Sequence, residues 1–290
     1  MERKKKTIRD FYNMKKNGEK VSWITAYDAQ MARLAEKGDI DMILIGDSVG
    51  NNLLGYKSTI PVTMDEMIIF SGAVRRGAPN TFIIGDMPLG SYQASNEIAV
   101  NNAIRFIKEA EVDAVKCEGG ERMYDRVKAM NDAGIAVVGH IGYTPQSTNL
   151  QGIVQSKNLG KFEYLLKDAL ALQKAGAWSI LLEAIPNEPA GLIAKYMDIP
   201  IYGIGAGKEV DGILAIMNDV IGLGTFDCKF VENFCDANKF LGDAIGNYIG
   251  RIKSGSFPQE QHFYSIKEEE LKEIREYMNK KNEEKKADKS

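Results

Sequence analysis

Cysteine and histidine are scarce in this sequence. The chain of 290 residues contains three cysteines, Cys117, Cys228 and Cys235, and only two histidines. No two cysteines have the spacing of a CxxC motif, which disfavours structural zinc sites and redox-active dithiols. So few cysteines are typical of proteins from a reducing compartment, and we expect a cytoplasmic protein.

Long apolar runs and an excess of charge of one sign are also absent. No segment approaches the ~18 apolar residues of a membrane-spanning helix. The basic N-terminus is not followed by the apolar segment of a signal peptide, because Thr7, Arg9 and Asp10 come next. With 37 basic and 40 acidic residues the net charge is -3, so no overall field favours nucleic acid or an anionic membrane.

The sequence does contain a series of short apolar runs that end in charged residues. Residues 42–45 are all apolar and lead into Gly46, Asp47 and Ser48. This pattern is typical of a buried parallel strand whose carboxyl end opens into a polar site. Similar runs recur along the chain. The charged residues that end the four clearest runs are Asp47, Asp86, Lys116 with Glu118, and Glu183.

Runs of strand length alternate with segments of helical period along most of the chain. Eight such units predict a (β/α)8 TIM barrel in preference to a doubly wound sheet, which usually has about five or six strands. We place the eighth strand at residues 220–223 and a short helix, before the first strand, at residues 7–17. Residues 1–264 should form one (β/α)8 domain, and residues 265–290 a charged helical tail.

The tail carries a narrow apolar stripe on an otherwise charged helix. Ser265 followed by Glu268 has the pattern of a capping box, and Leu271, Ile274 and Met278 share one helix face. Such a helix either lies in solvent or packs against a neighbouring subunit. The sequence leaves both possibilities open.

In a closed barrel of parallel strands, the carboxyl ends of all strands meet at one face. We therefore expect six polar side chains to cluster there although they are distant in sequence. They are Asp47, Asp86, Lys116, Glu118, His140 and Glu183. Carboxylates without cysteine or several histidines form a hard oxygen site, which suits Mg²⁺ or a similar cation.

Asp47 and Asp86 are the first candidates for metal ligands, since each follows a glycine that allows backbone and ion to approach closely. Either acid could instead cap the next helix. Lys116 and Glu118 are two residues apart on one strand and point to the same side. They could pair with each other, or supply a cation for a developing enolate oxygen and a third acid near the metal.

Three further features concern the same face of the barrel. Glu183 ends an apolar strand, and a carboxyl group in apolar surroundings is a candidate general base. His140 is either a packing residue or a residue that contacts the substrate or the metal ligands. Cys117 should face the helix layer. Residues 203–207, GIGAG, are not followed by the third glycine of a dinucleotide-binding loop, so we expect them to let a ligand approach the backbone.

Five segments together resemble the 3-methyl-2-oxobutanoate hydroxymethyltransferase family, also called the ketopantoate hydroxymethyltransferases. They are IGDSVG at 45–50, VRRGAP at 74–79, VKCEGG at 115–120, GHIGYTPQ at 139–146 and GIGAG at 203–207. They stand in the order in which the family has them. The resemblance runs from about residue 7 to about residue 262.

The resemblance implies a cytoplasmic (β/α)8 enzyme of pantothenate synthesis. Such an enzyme transfers a hydroxymethyl group from 5,10-methylenetetrahydrofolate to 3-methyl-2-oxobutanoate through a Mg²⁺-stabilised enolate, and the product is 2-dehydropantoate. It also implies one Mg²⁺ per subunit and a homo-oligomer, often a homodecamer. The implied roles are metal binding for Asp47, Asp86 and Glu118, substrate binding for Asp47, Ser48, Asp86, Lys116 and His140, and proton abstraction for Glu183.

The sequence departs from the family pattern at two places, and two other functions remain open. Cys228 precedes Lys229 and Phe230 where the family usually has proline, and the charged tail is additional. A metal-dependent 2-oxo acid lyase of the phosphoenolpyruvate and isocitrate lyase kind would share the acids, but its usual Lys-Lys-Cys-Gly loop is absent. A non-catalytic metabolite-binding barrel would not need an isolated base such as Glu183.

Overall fold

The structure is a computed structural model that describes residues 3–148, 156–224 and 229–287. Cys228 lies outside the described residues, so its departure from the family pattern stays a sequence observation. The chain divides into two compact units, Met1–Asp236 and Ala237–Ser290. This division falls before the expected boundary at residue 264, and the assignment of residues 1–264 to one catalytic domain stays a prediction.

The first unit is a closed barrel of eight parallel strands that pair in chain order. This confirms the (β/α)8 prediction. The strands are β1 (Val21–Thr25), β2 (Met42–Ile45), β3 (Phe82–Asp86), β4 (Ala114–Glu118), β5 (Val137–Gly142), β6 (Ser179–Glu183), β7 (Ile201–Ile204) and β8 (Gly212–Ala215).

Helices precede the barrel and connect its strands, and the predicted helix before β1 is present. The helices of this unit are α1 (Ile8–Asn17), α2 (Ala29–Lys37), α3 (Val49–Asn52), α4 (Met64–Gly77), α5 (Asn96–Glu109), α6 (Tyr124–Asp132), α7 (Leu159–Lys174), α8 (Asn187–Tyr196) and α9 (Met217–Val220). Single 3-10 turns form at Glu121–Met123 and Pro145–Ser147.

The eighth strand was predicted in the wrong place. It forms at Gly212–Ala215, whereas Val220, the first residue of the predicted strand, ends helix α9. Only alternate residues of β8 are fully buried, and Ile213 is 44% exposed. A continuous apolar run was therefore the wrong signal. Gly212 pairs with Val21 to close the barrel, and a Cβ at Gly212 would lie 2.4 Å from the Val21 carbonyl oxygen.

Buried apolar side chains form two layers, one inside the barrel and one between strands and helices. Cys117 belongs to the outer layer, as predicted from its position on β4. The inner layer is aromatic at the amino end of the barrel, where α1 buries Phe11 completely. The Phe11 ring lies 5.2 Å from that of Phe82 and 5.7 Å from that of Trp178. This end of the barrel is therefore closed by ring packing.

The second unit contains α10 (Ala237–Lys253), a 3-10 turn at Glu260–His262 and α11 (Glu268–Ala287). The expected last long helix and a helix within the charged tail are thus both present. No helix in the described parts of either unit is both long and apolar enough to cross a membrane.

Candidate active site at the carboxyl end of the barrel

The six predicted polar residues do converge at the carboxyl ends of neighbouring strands. Asp47 lies two residues after the end of β2, and the strand register sets Asp86 beside Lys116 and Glu118 beside His140. Each of these five residues is at most 4% exposed. Glu183 ends β6, and its side chain is 19% exposed. The site is therefore a buried charge cluster with one acid that reaches solvent.

Lys116 binds mainly to Asp86. Its Nζ lies 2.7 and 2.6 Å from the two Asp86 carboxylate oxygens and 3.6 Å from Glu118 Oε1. The possible pairing of Lys116 with Glu118 is therefore the weaker contact. Burial alone would lower the pKa of Lys116, but Asp86, Glu118 and Asp47 together raise it. The ammonium group thus stays charged.

Asp47 and Asp86 both accept hydrogen bonds within the cluster, and neither of them caps a helix. Asp86 accepts from the Asp47 backbone N–H at 3.1 Å. The residues at the N-caps of the helices that follow are Ser48 and Ser95, so the capping alternative is wrong. Burial, followed for Asp47 by the charge of Asp86, raises the pKa of both acids, that of Asp47 strongly.

Ser48 stands beside Asp47 at the start of α3, but its hydroxyl does not cap the helix. The hydroxyl lies 2.8 Å from the Tyr27 hydroxyl. A Cβ on Gly46 would come within 2.7 Å of the Ser48 Oγ, so the glycine gives this side chain its space. Ser48 is thus held near the acids by Tyr27.

His140 lies between two carboxylates. Its Nδ1 is 3.4 Å from Glu118 Oε1, and its Nε2 is 3.0 Å from Glu183 Oε2. These are ion-pair distances, and neither ring nitrogen has the alignment of a hydrogen bond. Burial and Lys116 lower the pKa of His140, but Glu118 and Glu183 outweigh them and raise it to about 9. His140 thus contacts two acids of the cluster, and its predicted contact with the substrate stays a prediction.

The surroundings of Glu183 differ from the prediction. The apolar residues of β6 suggested an apolar environment for the carboxylate. Instead the carboxylate faces the His140 imidazole and is partly exposed. An oriented and accessible carboxylate remains a candidate general base.

The donor set of the cluster fits a hard divalent cation. Four carboxylates, those of Asp47, Asp86, Glu118 and Glu183, stand against Lys116 and His140. With every group ionised, the cluster carries an excess of two negative charges. Mg²⁺ takes one or two carboxylates and keeps several waters. No three His, Cys, Asp or Glu side chains of the described residues already form a metal cage, since Lys116 engages both Asp86 oxygens.

Gln146 is a site residue that sequence reasoning missed. Its side-chain NH2 donates to Asp47 Oδ2 at 2.9 Å and to the Met87 carbonyl oxygen at 3.0 Å. Its backbone N–H donates to Glu118 Oε2 at 3.0 Å. The Tyr92 hydroxyl donates to Gln146 Oε1 at 2.7 Å. One residue therefore fixes two of the three predicted metal acids.

A signal for Gln146 was present in the sequence. It ends the GHIGYTPQ segment, and Pro145 begins the 3-10 turn that directs it into the site. Tyr92 had no such signal, because it lies in a loop without periodicity. Its hydroxyl also accepts from the Glu118 backbone N–H at 2.9 Å.

The glycines of the GIGAG segment, which begins within β7, have close neighbours in the chain itself, and the predicted approach of a ligand to this backbone stays a prediction. Gly205 and Gly207 have φ angles of 60° and 74°. A Cβ on Gly205 would lie 3.1 Å from the Phe230 ring, and one on Gly207 would lie 2.2 Å from Asn187 Oδ1. The glycines make room for the chain's own side chains, so close approach of a ligand to the backbone is not needed to explain them.

Solved structures with the same fold have little sequence in common with this chain. The 2,3-dimethylmalate lyase, a member of the PEP mutase/isocitrate lyase superfamily, matches with a TM-score of 0.58 and 15% identity, covering 88% of this chain and 91% of its own. A phosphonopyruvate hydrolase solved with oxalate and Mg²⁺ matches with a TM-score of 0.58 and 12% identity, covering 94% and 96%. At this identity they support the fold alone.

Sequence relatives are much closer. The 3-methyl-2-oxobutanoate hydroxymethyltransferase of Alkaliphilus metalliredigens is 49% identical over 91% of this chain and 94% of its own length. That of Geobacillus kaustophilus is 45% identical over 90% of this chain and 95% of its own. The model of the ketopantoate hydroxymethyltransferase family matches residues 5–260. The chain therefore belongs to the ketopantoate hydroxymethyltransferase family of enzymes.

Proposed function

We propose that this enzyme transfers a hydroxymethyl group from 5,10-methylenetetrahydrofolate to 3-methyl-2-oxobutanoate. The keto acid, the folate donor and one water give 2-dehydropantoate and tetrahydrofolate. The names of the relatives support this reaction. The observation that carries it is the acid and lysine cluster, which His140 links to the accessible Glu183 at the same end of the barrel.

Asp47 and Asp86 are the residues that would hold one Mg²⁺ per subunit, and Glu118 would belong to the same metal site. The bound metal would supply a Lewis acid for the keto oxygen of the substrate. Gln146 keeps Asp47 and Glu118 oriented through the two hydrogen bonds it donates to them. The excess negative charge of the cluster is the physical reason to expect a dication.

Lys116 and Ser48 would bind the keto acid. The Lys116 ammonium is buried and charged, so it attracts the substrate carboxylate and the negative charge that develops on the keto oxygen. Ser48 offers a hydroxyl that Tyr27 holds in place. Both residues stand next to the proposed metal acids.

Glu183 would take the hydrogen from carbon 3 of the keto acid. The C–H bond breaks, the proton goes to the Glu183 carboxylate, and the electron pair passes into the enolate. One water adds its oxygen to the methylene carbon of the donor while the two carbon–nitrogen bonds break and each nitrogen takes a proton, which gives tetrahydrofolate and formaldehyde. The enolate carbon then attacks the formaldehyde carbon, and the resulting alkoxide takes a proton to become the hydroxymethyl group. His140 Nε2, 3.0 Å from Glu183 Oε2, holds the carboxylate in one orientation.

We also propose that the enzyme works in the cytoplasm as a homo-oligomer, with the homodecamer as the expected assembly. This rests on the family, and mass photometry of the purified protein tests the assembly. A monomer as the only species would contradict it.

A product assay tests the proposed reaction. Metal-stripped enzyme is incubated with 3-methyl-2-oxobutanoate, with and without 5,10-methylenetetrahydrofolate and with Mg²⁺ or chelator, and 2-dehydropantoate is measured by mass spectrometry. We expect product only when donor and Mg²⁺ are both present. Turnover of the keto acid without folate, to a product other than 2-dehydropantoate, would favour the lyase alternative.

A further inference from the structure

A cavity of about 690 Å³ lies next to Glu183 and takes no part in the reaction scheme so far. Its walls come from the segments that follow β6 and β7, from Ile213 of β8 and from Phe230. Residues 184–187 line one side and residues 205–207 line another. Its volume lies within the ordinary range for small-molecule sites.

The cavity is continuous in sequence with the proposed base. Ala184, one of the lining residues, directly follows Glu183. Glu183 pairs with Ile204 across β6 and β7, and Gly205 of the lining directly follows Ile204. A molecule in the cavity would therefore lie at the carboxyl ends of β6 and β7, the end of the barrel at which Glu183 stands.

The walls combine apolar surface with one amide group and two cations. Ile185, Pro186 and Phe230 supply apolar surface, and Phe230 is 51% exposed. The ring of Phe230 is thus available for stacking with a flat ligand. Lys157 and Lys229 also line the cavity.

The amide of Asn187 is oriented with its donor side free. Its Oδ1 accepts from the backbone N–H groups of Lys208 at 2.9 Å and Glu209 at 3.3 Å. Within the described residues, the Asn187 NH2 group donates to no acceptor. The absence of a side chain at Gly207 gives the amide its space, since a Cβ there would lie 2.2 Å from Oδ1. The NH2 group can therefore donate to a ligand.

A second cavity at the barrel mouth has different chemistry. It measures about 520 Å³ and is lined by polar residues, among them Lys57, Ser58 and Gln146, and by Ile60, Tyr143 and Pro145. Gln146 contacts Asp47, so this cavity lies on the metal side of the cluster. The amide groups in its walls are already engaged, since the Gln146 NH2 group donates to Asp47 and Met87 and the Asn51 NH2 group donates to the Tyr56 carbonyl oxygen.

We propose that the cavity lined by residues 184–187, 205–207 and Phe230, here called the donor pocket, binds the reduced pterin of the folate co-substrate. Phe230 stacks on the ring system, and the Asn187 NH2 group donates to the ring carbonyl oxygen. Lys157 and Lys229 attract the carboxylates of the glutamate tail. This inference rests on the proposed function and adds the place where the donor binds.

Two substitutions remove one recognition element each. Phe230→Ala removes the stacking surface, and Phe234→Ala is its control, because Phe234 is 75% exposed and does not line the donor pocket. Asn187→Asp keeps the Oδ1 acceptor for Lys208 and Glu209 but loses the NH2 donor. Circular dichroism and thermal melts verify that each variant is folded.

The readouts are the Kd of tetrahydrofolate, by calorimetry with Mg²⁺ and keto acid present, and the KM of the folate donor in the full reaction. For Phe230→Ala and Asn187→Asp we expect both to rise about 10-fold. The KM of the keto acid and its exchange of the carbon 3 hydrogen with solvent should stay at wild-type values. Phe234→Ala should match the wild type throughout.

Wild-type folate affinity in both folded variants would overturn the donor pocket while leaving folate-dependent turnover intact. A rise in the keto acid KM equal to the rise for folate would also overturn it, because a general loosening of the site would then explain the change. Failure of the wild-type enzyme itself to bind or use folate would instead overturn the proposed function and, with it, the donor pocket.

Discussion

The two ends of the barrel bury opposite kinds of side chain. At the amino end, Phe11, Phe82 and Trp178 pack with ring centroids 5.2 to 5.7 Å apart. At the carboxyl end, buried carboxylates surround Lys116 and His140. Aromatic burial stabilises the fold, whereas buried charge costs stability unless it is fully paired.

Residues that stabilise the fold and residues proposed to act in the reaction thus lie at opposite ends of the barrel. The rings of Phe11, Phe82 and Trp178 carry no ionisable group, so they take no part in proton transfer. The charged end keeps Asp47 and Asp86 ionisable at a cost, since burial raises the pKa of both. Substitutions at the aromatic end should therefore lower stability, whereas substitutions at the charged end should lower activity.

The largest effect is expected at the charged end, from Asp47→Asn. Loss of a proposed metal ligand should lower kcat/KM about 10³-fold or more, because metal polarisation supplies several kcal/mol. The melting temperature should stay constant or rise. The raised folded-state pKa of Asp47 means that its ionised form weakens the fold at neutral pH. Full activity of this variant in chelator would contradict the metal assignment.

At the aromatic end, Phe11→Ala should do the reverse. Removing a fully buried ring should lower the free energy of unfolding by about 3–5 kcal/mol. Below its melting temperature the variant should keep wild-type kcat/KM. Denaturant titration and steady-state kinetics measure the two effects, and the exposed Phe234→Ala serves as control. A loss of kcat/KM in the folded variant as large as that of Asp47→Asn would contradict the proposed separation of stability from function.

A smaller effect is expected from Gln146→Leu, which keeps the volume of the side chain but removes its hydrogen bonds to Asp47 and Met87. Partners that orient metal ligands typically contribute about 10- to 100-fold to metal affinity or activity. Calorimetric titration should show Mg²⁺ affinity reduced by that factor. Gln173→Leu, a change of the same kind at a residue that binds Asp198, should leave it unchanged.

The smallest expected effect concerns the pKa of His140. In the metal-free protein the His140 imidazole should stay protonated up to about pH 9, because Glu118 and Glu183 outweigh burial and Lys116. Its stabilising contribution is fully present below the unfolded pKa of about 6.5 and is lost as pH rises through about 9. Nitrogen-15 NMR of the imidazole nitrogens measures this pKa. The spectrum of His262→Gln identifies which signals belong to His140. Titration near pH 6.5 would contradict the ion pairs.

Much of the charged end was predictable because burial leaves a clear signal. Strands buried on both faces are continuous apolar runs, as in β2, and a charge at the end of such a run stands out. That signal was enough to locate Asp47, Asp86 and Glu183 in the amino-acid sequence. It failed at β8, where burial alternates and the strand contains a half-exposed isoleucine.

Contacts between loops could not be predicted in the same way. Gln146 and Tyr92 meet across 54 positions of sequence, and no periodicity relates their two loops. The surroundings of Glu183 were mistaken for a related reason. Its neighbour His140 lies on the adjacent strand, and only the register of β5 and β6 brings them together.

Exchange of the carbon 3 hydrogen of 3-methyl-2-oxobutanoate with solvent deuterium tests the central claim most directly. It reports proton abstraction alone, so it needs no folate donor. With Mg²⁺ present, the wild-type enzyme should exchange this hydrogen, and Glu183→Gln should do so about 10²- to 10⁴-fold more slowly, because Gln keeps the shape but loses the proton acceptor. Exchange by Glu183→Gln at the wild-type rate would place the base elsewhere and contradict the assignment.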